Sequence, residues 1–189
     1  MKTLTGFCVA LVVLGSAVLA ADLKSGLQPG QPIPAFDVLK CAGAVDDGVK
    51  VGTQLCYRCK YGAAPMVMVF SRGSNESVAT LATRLDETVA KNSDKKLKAF
   101  VNLLGDNRES LEAAAKELGT KNKLANVPVV VPIEFENGPD NYGINLKADV
   151  TVLLASGGKV VASHAFAKGE LDAKGIDAVV EDVSKQLVK

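Results

Sequence analysis

"MVMVF", residues 66–70, follows Pro65 and precedes the polar break "SRGSNE" at 71–76. Its reading decides the fold. A strand with one wet face alternates apolar and polar side chains, whereas an unbroken apolar run of this length marks a strand buried on both faces. Downstream, Val78, Leu81, Ala82, Leu85 and Val89 fall at helical spacing. "LKAFVNLLG" (97–105) is a second strand. Asn107 is placed to cap a second helix carrying Leu111, Ala114, Ala115 and Leu118, with Gly119 as its stop. "VPVVVPIE" (127–134) is a third strand, where Pro132 points to an edge position or an early end. After the loop "FENGPDNYGINLKAD" (135–149), "VTVLL" and "KVVASHAF" form two strands joined across Ser156-Gly157-Gly158. Ile176, Val179, Val180, Val183 and Leu187 define a last helix.

Upstream of Pro65 the chain is rich in glycine and proline, with little helical periodicity. "LQPGQPIPAFDVLK" (27–40) reads as extended, with Phe36, Val38 and Leu39 in a short strand. Asp47-Gly48 is a hairpin signal. Strands alternating with helices imply a partly parallel α/β sheet covered on both faces.

Lys2, the apolar run Leu4–Leu14 and the small residues of "GSAVLAAD" describe an export leader, with Val18 and Ala20 at the −3 and −1 positions. Cleavage is expected after Ala20. Residues 1–20 are then the leader, 21–64 an extended N-terminal segment and 65–189 the core, the last two forming one domain. Such a chain of about 169 residues builds its core without help from disulfides. The charge balance, 22 basic against 21 acidic residues, scatters both signs along the sequence. Neither nucleic acid nor stable membrane insertion after cleavage is expected as a partner. The reading is of a soluble exported protein, periplasmic or secreted.

Three cysteines remain beyond the leader: Cys41, Cys56 and Cys59. "LCYRCKYG" (55–62) holds the last two in the CxxC spacing of redox and metal chemistry. Arg58 and Lys60 supply positive charge that lowers a thiol pKa. Tyr57 offers packing or a stacking surface. An oxidising compartment lets disulfides persist, and an odd number leaves one thiol unpaired.

Three features resemble the peroxiredoxin-like branch of the thioredoxin superfamily, the alkyl hydroperoxide reductase, thiol-specific antioxidant or redoxin proteins. They are the opening "PGQPIPAFDV" (29–38), "NYGIN" (141–145) and the hairpin "ADVTVLLASGGKVV" (148–161). The resemblance covers roughly residues 29–187 and implies a thioredoxin-like fold: a central mixed sheet with helices on both faces. It also implies a nucleophilic cysteine just beyond the first core strand. Here "SRGSNESV" (71–78) has none, and no cysteine follows Cys59. Asp149 stands where the family hairpin has an arginine, and Val150 where thioredoxins have a cis-proline. Peroxidase chemistry by the family mechanism is therefore not expected.

Four roles stay open for the sulfur atoms. Cys56 and Cys59 form a redox pair that exchanges disulfides with thiol or disulfide proteins, the more exposed thiol attacking and its neighbour resolving. Alternatively, Cys41 bonds Cys56 or Cys59 in a structural staple, which for Cys41–Cys56 closes a loop of about 15 residues and contributes up to about 3 kcal/mol. In that case the protein is a non-catalytic binding or scaffold domain. A third role is a zinc or copper(I) site of three thiolates and His164. Haem attachment is a fourth, although "CYRCK" lacks the usual histidine. The preferred reading is the redox pair, with no cofactor and no metal. His164 is expected as a half-buried strand residue, and Arg72 as an anion ligand or a solvated charge. The CxxC is expected at the N-terminal end of the core strand, away from the usual pocket. Substrate and oligomeric state are not encoded in any motif.

Overall fold

The computed structural model describes residues 23–188; the predicted leader lies outside the described residues. Met66–Ser71 forms β3, buried at every position, in the interior of a seven-stranded sheet. Its neighbours are β4 (Lys98–Leu103), parallel, and β6 (Val150–Ser156), antiparallel. Beyond β4 come β5 (Val129–Pro132), β1 (Val38–Ala42) and β2 (Gln54–Leu55); beyond β6 lies β7 (Lys159–Phe166). The β6–β7 connection is the two-residue turn Gly157-Gly158, with φ of 60° and 78°. That left-handed pair matches strand twist and favours glycine.

Helices α2 (Glu76–Lys91), α3 (Arg108–Lys121) and α4 (Ala173–Leu187) all pack on one face. Their buried residues interleave with Val67, Val69, Val101, Val129 and Val152 of the strands. Each such side chain contributes about 1.5–3 kcal/mol when fully buried. The opposite face carries a smaller cluster that includes Met68, Phe70, Phe100 and Leu153. It is covered by the N-terminal segment, the one-turn helix α1 (Tyr57–Tyr61) and a 3-10 turn at Asp140–Tyr142. Helices thus cover both faces, but unequally.

Parallel β3, β4 and β5 force α2 and α3 to run back from the strands' C-terminal ends to their N-terminal ends. Asn75 and Asn107 cap these helices, each side chain accepting a backbone N–H. β1 and β2 pair in the same sheet as the core, so residues 38–55 are integral to it.

Pro132 ends β5 early, as expected; the edge alternative fails, because β5 is internal, between β1 and β4. One expectation changes. Gly119 does not stop α3, which continues to Lys121. A Cβ there would sit 2.4 Å from Ala42 Cβ, so Gly119 permits close helix–strand approach. Asp47-Gly48 lies in the connection of the antiparallel β1–β2 hairpin, as expected, but that connection runs to eleven residues instead of a tight turn. Asp47 serves another purpose.

Candidate active site

Cys56 and Cys59 are joined in a disulfide, with Cα atoms 5.2 Å apart. The i,i+3 spacing spans about one helical turn, and the bond closes the first turn of α1. Cys56 is its N-cap, and the Cys59 N–H donates to Cys56 Sγ at 3.0 Å. Cys59 is exposed and Cys56 half-buried. The second cysteine is thus the more exposed of the two.

Tyr57, between the two sulfurs, is fully buried against Phe100 and Tyr61. Its hydroxyl donates to Asp47 Oδ2 at 2.5 Å. Asp47 Oδ1 accepts from Lys40 Nζ at 2.8 Å and from the Val49 N–H. Lys40 is itself buried, and Ala44 O and Val49 O take its remaining protons. All three ammonium donors are therefore satisfied, which is what burial of a lysine requires. Burial alone would raise the Asp47 pKa, but the donors Lys40, Tyr57 and Val49 and the lysine charge outweigh it and hold the carboxyl below its ordinary range. Burial and the adjacent carboxylate push the Tyr57 phenol far above its usual value. A neutral phenol and an ion pair thereby tie the CxxC turn to β1 and the 43–53 loop.

Arg58 Nε donates to Ile33 O at 2.8 Å, and the Ile33 N–H donates to Gly158 O. The guanidinium is thus tethered beside the β6–β7 turn. Lys60 is exposed. The Gly157 N–H donates to Ala63 O, and the Lys98 N–H to Pro65 O. These bonds set the C-terminal end of α1 at the N-terminal end of β3, on the face opposite α2. The pocket between β3 and the start of α2 has no sulfur atom. Arg72 sits there instead, its backbone on Asp149 O and its Nη1 3.1 Å from Glu136 O, while Nε and Nη2 are buried without partners.

Cys41 does not reach either sulfur of the pair. It faces the other side of the sheet as a free thiol, and burial together with the Glu112 carboxylate pushes it up to about 11. The staple involving Cys41 is therefore not formed. His164 lies on β7 with Nε2 3.1 Å from Asp182 Oδ2, though without hydrogen-bond geometry, and stacks on Phe166. Among the described residues no group of three or more histidine, cysteine or acidic side chains could hold a metal ion. Cys41, Cys56, Cys59 and His164 are not brought together.

Sequence reasoning missed α1 because five residues are too few to show periodicity. The available signal was the i,i+3 cysteine spacing itself. It also missed Lys40, whose signal was a charge at an inward strand position, on the same face as Val38.

The sheet order, the crossovers and the terminal hairpin with its helix define a thioredoxin-fold α/β protein. Solved structures of that class match the chain. Mycobacterium tuberculosis AhpC aligns at 13% identity, with a TM-score of 0.60, over 84% of this chain and 97% of its own. A Bacteroides thetaiotaomicron protein assigned as a protein disulfide isomerase aligns at 14% identity and TM-score 0.59, over 87% and 94%. A Chlorobium tepidum protein assigned as thiol:disulfide interchange protein DsbE aligns at 16% identity and TM-score 0.56, over 82% and 98%. At these identities the likeness is one of fold. No family model matches the chain, and no curated protein does.

Proposed function

We propose that this is an exported thiol–disulfide exchange protein acting through Cys56 and Cys59 on protein thiols and disulfides. The observation that carries the reading is the bonded pair on α1, with Cys59 exposed and a backbone N–H already directed at Cys56 Sγ. An incoming thiolate attacks Cys59 Sγ, forming a mixed disulfide and expelling Cys56 as a thiolate. The Cys59 N–H stabilises that leaving group. A second thiol of the partner then attacks the partner's own sulfur in the mixed disulfide and releases Cys59. The partner loses two electrons and its dithiol becomes a disulfide, while Cys56–Cys59 becomes a dithiol. In the reverse direction Cys59 attacks a partner disulfide and Cys56 resolves the adduct. The protein disulfide isomerase and DsbE assignments of two fold neighbours support this class of partner.

Cys59→Ser should abolish exchange with a dithiol peptide. Cys56→Ser should keep the first attack on a peptide disulfide and accumulate the mixed disulfide, visible by mass spectrometry. Full exchange by Cys59→Ser would overturn the assignment. A second reading, a non-catalytic domain with a structural disulfide, is favoured by the pair's distance from the sheet's C-terminal pocket. It requires a reduction potential below about −300 mV, where the redox reading requires one above it.

A further inference from the structure

Exposed lysines that lie far apart in the sequence meet at one end of the sheet. α2 begins with Glu76 and ends at Lys91, and α3 has Glu109 in its first turn and Lys121 in its last. α4 carries Lys185 in its last turn. Acids at helix N-termini and bases at C-termini complement the helix dipole. The helix-terminal charges do not all sort to one end, since Lys121 lines a groove with Ser74 and Glu76. The lysines at the strand ends do gather. Lys95, Lys96 and Lys98 lie at the N-terminal end of β4, Lys159 starts β7, and Lys60 is on α1; all five are exposed. None of them forms an ion pair among the described residues. Asp94, beside Lys95 in sequence, and Asp46, in the 43–53 loop, are exposed as well. At the other end, Glu76, Asp106, Glu134, Glu136 and Asp140 are exposed, as are Lys147 and Lys168.

The basic end is also the sulfur end. Lys60 adjoins Cys59, Ala63 is bonded to the turn that precedes Lys159, and Pro65 is bonded to Lys98. Resting on the redox reading above, we propose that this end is the docking surface for an acidic polypeptide segment that presents its cysteine or disulfide to Cys59. Unpaired lysines around a reactive sulfur raise the local concentration of anionic partners and speed encounter, an effect that salt screens.

The test uses the full mature chain in its oxidised form. Two synthetic dithiol peptides, identical except for flanking glutamates or flanking lysines, reduce Cys56–Cys59 in 20 mM and 500 mM salt, beside uncharged dithiothreitol. The acidic peptide should react about tenfold faster at low salt, with the gap closing to about twofold at high salt. Lys95→Gln, Lys98→Gln and Lys159→Gln together should remove most of the preference while leaving the dithiothreitol rate unchanged. Equal peptide rates, or a preference that ignores salt, would overturn the docking surface. A single-stranded DNA oligonucleotide that binds more tightly than the acidic peptide would overturn its assignment to a polypeptide. If dithiothreitol fails to open the disulfide, the redox reading itself falls; if it succeeds while the peptides do not differ, only the docking surface falls.

Discussion

Tyr57 gives the CxxC its anchor, and Asp47 gives Tyr57 its own. Lys40 and Asp47 have side-chain exposures of 1% and 13%, so their ion pair is largely removed from water. A buried pair adds little over an apolar replacement, but losing one partner strands the other charge. Asp47→Asn should therefore cost about 3 kcal/mol in urea unfolding at pH 7, and Lys40→Met added to it should recover part of the loss. The pH dependence has a definite sign. The folded carboxyl titrates below its unfolded value, so its contribution is present in full above the unfolded pKa, about 3.9. It is lost as pH falls from there through the lower folded value. Between pH 5 and pH 3 the natural protein should lose more stability than Asp47→Asn; parallel declines would refute the role given to this carboxylate.

At the scale of elements, helix–strand contact is closest where α3 crosses β1. Alanine in a helix interior is favoured over glycine by about 1 kcal/mol, yet the added Cβ at Gly119 would lie 2.4 Å from Ala42 Cβ. Overpacking of that kind costs about 1–3 kcal/mol. Gly119→Ala should therefore lower the urea midpoint with an unchanged slope; a raised midpoint would show that α3 lifts off β1 freely. This glycine also shows what a sequence hides. The helical stripes of α2 and α4 and the apolar run of β3 were legible because each repeats one physical demand along many residues. Gly119 was misread as a helix stop, and the edge alternative for Pro132 failed, because each is a single residue with two structural uses, and only a neighbour distant in sequence selects between them. The site divides in the same way. The CxxC and its upstream position were readable from spacing and order, whereas the buried Lys40–Asp47–Tyr57 chain depends on β1 folding against a later helix.

Over the whole molecule, stability comes from the two apolar clusters on either side of the sheet. The disulfide spans three positions in sequence, and closing so short a ring is worth about 2 kcal/mol in the chain-entropy model. Every strand is held by backbone pairing that does not involve the sulfur atoms. A protein that cycles between dithiol and disulfide must fold the same way in both states, and this division of labour permits it. Reduction should leave far-ultraviolet circular dichroism unchanged and lower Tm by only about 4–8 °C. The transition should stay cooperative in both forms, because β1, β3 and β4 share one sheet and one core. Loss of cooperativity on reduction, or a fall of more than about 15 °C, would mean that the Cys56–Cys59 bond organises the N-terminal face, and the exchange reaction would then carry a folding penalty incompatible with turnover.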